Sequence, residues 1–145
     1  MFFFFVPAVK FWRKLNGKKY FVHVGGKSYA EAVDYCHSKK LKLVEPKSSK
    51  ANKDIQLLAK SIATQGYGVW IGIDDKSIEG KFTYASDGES VKFTNWNRGQ
   101  PDNAGGNEDC AHLWKGHGFR WNDVPCSARM SFVCESQSGK YVYPL

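Results

Sequence analysis

Gln100-Pro101-Asp102-Asn103-Ala104-Gly105-Gly106-Asn107-Glu108-Asp109-Cys110 is the stretch on which the reading of this chain turns, and Trp121-Asn122-Asp123 answers it shortly afterwards. Together they offer seven side-chain oxygen donors: Gln100, Asp102, Asn103, Glu108, Asp109, Asn122 and Asp123. The first segment is Gly-rich and punctuated by Pro, with neither helical nor strand periodicity, so it reads as an ordered loop. Hard cations such as calcium take oxygen ligands, about six to eight of them. Four carboxylates drawn together repel one another unless something positive sits among them, so the charge pattern points to a bound cation. A solvated acidic loop is the plain alternative. Long loops without regular structure are uncommon in compact domains, and ligand-ordered loops supply many of the exceptions.

Working outward, Val69-Trp70-Ile71-Gly72-Ile73 is a short, wholly apolar run and predicts a buried central strand. Lys81 to Tyr84 reads as its partner, Gly88 as a turn, and Val91 to Trp96 as the approach to the loop. Beyond the loop, Cys110 to Trp114, Phe119 to Trp121 and Met130 to Cys134 read as three more strands. On the N-terminal side, Tyr20, Val22 and Val24 alternate in a strand that Gly25-Gly26 should end. Ser28 and Glu31 form a capping-box pair, and Tyr29, Ala32 or Val33 and Cys36 then recur at helical spacing, which turns Cys36 inward. Leu41, Leu43 and Val44 suggest a short strand closed by Pro46. Ile55, Leu58 and Ile62 give a second amphipathic helix starting near Ser48 or Ser49, with Gly66 and Gly68 as its stop. Helices first and antiparallel strands later make an α+β arrangement with a long loop region.

The chain has 145 residues and carries 42% hydrophobic and 15% aromatic residues, which suits one folded domain. No run reaches the roughly 18 apolar residues that a membrane-spanning helix needs. Met1 to Val9 resembles the end of a secretory signal but lacks a basic start, so residues 1–17 are a leader remnant or an extra N-terminal strand, with the leader favoured. The formal charge is +7, unevenly spread. Residues 1–60 hold 13 Lys and Arg against 4 Asp and Glu, while residues 61–145 hold 8 against 10. A basic N-terminal half can attract anionic surfaces; scattered lysines kept for solubility are the simpler reading, because no stacking aromatics are interleaved with them. Specific nucleic-acid binding is not indicated.

Cys36, Cys110, Cys126 and Cys134 contain no Cys-x-x-Cys spacing, which argues against a zinc knuckle and for two disulfides in an oxidising, extracellular compartment. Three pairings are open. We take Cys110–Cys126, which would clamp the two halves of the oxygen-rich region, with Cys36–Cys134, which would tie the first helix to the last strand. His23, His37, His112 and His117 show no helical metal-ligand spacing and read as structural or solvent-facing. No nucleophile elbow or phosphate loop is present, so the chain does not read as an enzyme. A secreted basic nuclease would leave the converging oxygen donors unexplained.

With these residues in view, the chain resembles the C-type lectin-like domain over about residues 18–136, in its short form with two disulfides, leaving 137–145 as a tail. The resemblance rests on Trp70-Ile71-Gly72-Ile73, Gln100-Pro101-Asp102, Glu108-Asp109-Cys110, Trp121-Asn122-Asp123 and the four cysteines in order. It implies the same disulfide pairing. It also implies a sugar-binding calcium held by Gln100, Asp102, Glu108, Asn122 and Asp123, with a cis peptide bond before Pro101. The same five residues would meet two vicinal sugar hydroxyls. An auxiliary calcium would fall on Asp75, Glu79, Asn103, Glu108 and Asp109, with Asn103 where a carboxylate is often found. In this family Gln-Pro-Asp goes with galactose-type sugars and Glu-Pro-Asn with mannose-type ones. Many galactose binders place a stacking Trp soon after the triplet; here Ala104 stands there, and Trp96 and Trp121 read as core residues anchoring the loop. The implied function is a secreted calcium-dependent lectin for galactose-type sugars, in glycan or microbe recognition, as a monomer or an oligomer. The runner-up is a lectin-like domain that binds a protein, lipid or sulfated polymer through its basic N-terminal half, without calcium.

Overall fold

The structure is a computed structural model that describes residues 9–62 and 67–137. Eight strands form one sheet: β1 Val9–Leu15, β2 Lys18–Lys27, β3 Leu41–Leu43, β4 Gly68–Asp74, β5 Thr83–Tyr84, β6 Cys110–Trp114, β7 Arg120–Val124 and β8 Met130–Ser136. Two helices join them, α1 Tyr29–Ser38 and α2 Ser49–Ile62. The strand order is β1-β2-β8-β4-β6-β7, with β3 also paired to β8 and β5 to β4. β4 and β8 run parallel and the other pairs antiparallel, so the sheet is mixed.

The helices cover opposite faces of this sheet, which explains why β4 is buried at every position. Its odd-numbered residues Val69, Ile71 and Ile73 pack with Ile55, Leu58 and Ile62 of α2. Trp70 points the other way and packs with Tyr29, Ala32 and Cys36 of α1. Gly72 interrupts that second face for a steric reason. A Cβ there would stand 2.7 Å from the Leu43 carbonyl oxygen, so only glycine lets β3 cross so closely.

The capping box predicted at α1 is present: Ser28 accepts from the Glu31 amide, and Glu31 accepts from the Ser28 amide. Both expected disulfides form. Cys36–Cys134 ties α1 to β8, and Cys110–Cys126 ties the start of β6 to the segment after β7.

Several boundaries differ from expectation. Val9–Leu15 follows the second of the two readings of residues 1–17, an extra strand in place of the favoured leader remnant: it pairs along its whole length with β2 through the Asn16-Gly17 turn, where both residues have positive φ, as a two-residue hairpin requires. Residues 1–8 lie outside the described part, as do 63–66, which contain the expected glycine stop of α2, and the tail from 138. β2 does not end at Gly25-Gly26. It runs on to Lys27, with a register shift against β8 where Gly25 adopts φ 140°. The strand expected over Lys81 to Tyr84 shrinks to two residues. Asn122 and Asp123 lie inside β7, which starts later and ends later than Phe119 to Trp121.

Candidate metal centre

The oxygen-rich loop leaves β5, crosses to the β6–β7 edge of the sheet and returns as β6. Its entry is fastened by main-chain bonds: Asn97 donates to the Trp121 carbonyl (2.8 Å) and Trp121 donates to the Asn95 carbonyl (2.9 Å). Trp96 and Trp121 meet edge to face at 5.5 Å. The Trp121 indole N–H, fully buried, donates to Asn52 of α2 at 2.8 Å. Both tryptophans are therefore anchors, as the sequence reading held.

The Gln100–Pro101 peptide bond is cis. Past it, Asp123 on β7 holds the loop with its carboxylate, which accepts from the amides of Asp102 (3.1 Å) and Asn103 (2.8 Å). The Ala104 amide donates both to Asp102 Oδ1 (3.2 Å) and to Glu108 Oε1 (2.8 Å), and Asn103 Oδ1 accepts from the Glu108 amide (2.9 Å). Side chains satisfying backbone groups in this way replace the ladder that an irregular segment lacks.

Two acidic groups result. Carboxylate oxygens of Asp102, Glu108 and Asp123 lie within 4.8 Å of one another, and so do those of Asp75, Glu79 and Asp109. In the first, burial and then the neighbouring carboxylates of Asp102 and Asp123 push Glu108 up to about 7, against the pull of the Ala104 N–H. Burial also raises Asp123, although the Asn103 and Asp102 amides oppose it. In the second, Asp75 beside it, then burial and Asp109, push Glu79 up to about 7. Both Asp75 (2.8 Å) and Glu79 (3.1 Å) accept from the Gly80 amide.

The donor set fits a hard divalent cation. Every donor is an oxygen, and two oxygens point inward with no hydrogen-bond partner among the described residues, Gln100 Oε1 and Asp75 Oδ1, one at each group. A positive ion would also remove the carboxylate repulsion that raises Glu108 and Glu79.

All five residues expected at the sugar-binding calcium are thus at the β6–β7 edge. Gln100, Asp102 and Glu108 come from the loop, and Asn122 and Asp123 from β7. Of the expected auxiliary set, Asp75, Glu79 and Asp109 come together, while the Glu108 carboxylate groups with Asp102 and Asp123, and Asn103 spends its side-chain oxygen on the Glu108 amide.

Sequence reasoning missed two supporting residues. His112, directly opposite Asn122 in the β6–β7 register, is fully buried, and its Nε2 lies 3.1 Å from Asn122 Nδ2. Burial lowers it to about 3, so the ring is neutral, Nε2 accepts, and the Asn122 oxygen is the arm turned away from it. A Cβ at Gly68 would stand 2.0 Å from His112 Nδ1, so this position needs glycine. Tyr67 is the second. Its ring meets His112 edge to face at 5.5 Å and is 47% exposed. Partial burial, and then the charge of Glu108, raises its phenol. Strand register and a loop crossing bring both in, and no local motif announces either.

Residues 25–136 match the family described as the lectin C-type domain. The chain belongs to that family. Among relatives of this C-type lectin domain, an alpha-N-acetylgalactosamine-specific lectin of Patiria pectinifera is 37% identical over 133 residues, covering 86% of this chain and 77% of the relative. Salivary C-type lectin 2 of Aedes albopictus is 36% identical over 115 residues, covering 74% and 76%. The crystal structure of the C-type lectin CEL-I from Cucumaria echinata superposes with a TM-score of 0.75 at 28% identity, covering 85% of this chain and 92% of that one. Members of the family bind carbohydrate and are not enzymes, in agreement with the non-enzymatic reading of the sequence.

Proposed function

We propose that this C-type lectin domain is a secreted, calcium-dependent lectin for terminal galactose-type sugars. The observation that carries the reading is the meeting of Asp102, Glu108 and Asp123 beside the unpartnered Gln100 oxygen, an all-oxygen pocket at a surface edge. Gln100, Asp102, Glu108, Asn122 and Asp123 would hold the ion, and Asp75, Glu79 and Asp109 a second one. Bound there, calcium supplies open coordination positions for two vicinal sugar hydroxyls. The chain's own groups do the rest. Asp102 and Glu108 accept hydrogen bonds from the hydroxyl protons, and the Gln100 and Asn122 amides donate to the hydroxyl lone pairs. Asp123, fixed by two loop amides, keeps the loop closed on β7.

Galactose-type preference follows from the order of charged and amide oxygens across Pro101, and the N-acetylgalactosamine lectin among the relatives supports it. The ring proposed in place of the one that Ala104 does not provide is Tyr67, which is 47% exposed and packs on His112. Two disulfides and a salivary relative support secretion, and no helix among the described residues is long and apolar enough to cross a membrane.

The test is binding to immobilised galactose, N-acetylgalactosamine and mannose with calcium and with EDTA. Galactose-type binding lost in EDTA, and a shift toward mannose in the Gln100→Glu/Asp102→Asn double variant, are the expected results. Galactose binding that survives EDTA unchanged overturns the coordination mechanism; an unshifted preference in the double variant overturns the selectivity argument alone.

A further inference from the structure

The lectin site uses the acidic edge of the sheet and leaves the basic charge unexplained. That charge is not uniformly scattered. In the β1–β2 register Lys10 stands opposite His23 and Trp12 opposite Phe21, so all four share one face of the sheet, the face on which α1 packs. There the ammonium groups of Lys10, Lys27 and Lys39 lie 5.3, 5.8 and 5.5 Å from the centre of the same Tyr35 ring. Lys39 is also 4.8 Å from the Phe21 ring, and Trp12 meets Phe21 edge to face at 5.2 Å. Stacking aromatics are therefore interleaved with these lysines, contrary to the sequence expectation.

We propose that this face, Lys10 and Trp12 of β1, Lys27 of β2, Tyr35 of α1 and Lys39 at its C-cap, is a second ligand site that takes a sulfated polysaccharide independently of calcium.

Three observations support it. First, none of the three lysines has a carboxylate partner among the described ion pairs, and Glu31 on α1 is engaged by Arg129 and by the Ser28 amide. Three like charges gathered at one ring repel, and a polyanion relieves that cost. Second, their field reaches inward. His23, 2% exposed and with Nδ1 unpartnered, is held down to about 4 by burial and then by Lys10 and Lys27. Third, the shape suits a sugar polymer better than a lipid surface. The ammonium groups converge on one ring instead of spreading over a plane, and half-exposed Trp12 offers a flat apolar ring to a pyranose beside them. The β1–β2 edge is the far end of the sheet from β6–β7, so both sites can be filled at once.

The test uses the whole chain in EDTA, with three probes: a short heparin-derived oligosaccharide, a hyaluronan oligosaccharide of similar length carrying carboxylates without sulfate, and phosphatidylserine/phosphatidylcholine vesicles. Heparin oligosaccharide should bind and weaken steeply with salt. Lys10→Gln/Lys27→Gln/Lys39→Gln should weaken it about tenfold or more and lower the salt slope by up to about 3. Trp12→Ser should weaken it about threefold with the slope unchanged. A charge-matched control, Lys53→Gln/Lys60→Gln/Lys81→Gln, should change it less than about twofold. Equal losses in the two triple variants would mean diffuse charge and no site. Equal binding of hyaluronan, binding of vesicles without the oligosaccharide, or loss of heparin binding on chelation would each overturn the proposal. Calcium-dependent galactose binding by the first triple variant, unchanged from the native chain, makes this outcome separable from the fate of the lectin site.

Discussion

The two ends of the sheet are built in opposite ways. At β6–β7 the chemistry is nearly continuous in the chain: one loop and one strand place the acidic oxygens, and side chains bonded to neighbouring amides hold them. At β1–β2 the basic face gathers Lys10, Lys27, Tyr35 and Lys39 from two strands and a helix, with a stacked aromatic bed of His23 and Phe132 beneath. Protons act on them with opposite sign. The acidic edge holds raised carboxylates, so without a cation it becomes more strained as pH rises toward about 7. The basic edge holds a depressed histidine, and acid works against it. An irregular loop concentrates like charge at the cost of raised carboxylates, which a cation would relieve; a packed face can do so by leaving the charges on flexible stems above a rigid core.

The largest test of this contrast is covalent. Cys36–Cys134 spans 98 residues and sits under the basic face, whereas Cys110–Cys126 spans 16 at the acidic edge. In the chain-entropy view, replacing both cysteines by Ala should cost about 5 kcal/mol for the first bridge and about 3 kcal/mol for the second. Urea unfolding measures both. The second loss should also weaken calcium-dependent sugar binding, while the first should spare it under folding conditions; the reverse pattern would break the comparison.

Next comes acid. The His23 pKa is about 4 in the fold and 6.5 without it, so the unfolded chain takes up a proton that the fold refuses. Stability is unaffected above pH 6.5 and falls as pH drops toward 4, by at most about 3 kcal/mol. Urea midpoints for the native chain and His23→Phe at pH 7 and pH 4.5 isolate this part; an equal acid loss in both would remove His23 from the account. The smallest effect belongs to Tyr67. Tyr67→Ala should lower galactose affinity about fivefold at unchanged calcium affinity, read by titration of each ligand. No change would leave the sugar's apolar face without a platform here.

Much of the acidic edge was legible from the chain. Type and spacing single out the oxygen donors of 100–110 and 121–123, while the choice of Gln100, Asp102, Glu108, Asn122 and Asp123 as one set comes from the family resemblance. The apolar run around Trp70 and the capping box at Ser28 marked the central strand and α1 because burial on both faces and an orphaned helix amide each leave a local signature. The resemblance puts Glu108 at both ions; in the structure its carboxylate accepts from the Ala104 amide and groups with Asp102 and Asp123. The sequence leaves residues 1–17 open between a leader remnant and an extra strand; the pairing of Val9–Leu15 along β2 makes that part a strand.

What the sequence determined by itself is therefore the family of the fold, the two bridges and the oxygen donors of one loop, all of them properties of residue type over short intervals. The tertiary structure alone decided that His112 orients Asn122, that Tyr67 packs on His112, and that three lysines distant in sequence surround Tyr35. The physical reason is that these contacts depend on strand register and helix docking, and both are set by how the whole core closes, not by any neighbouring residue.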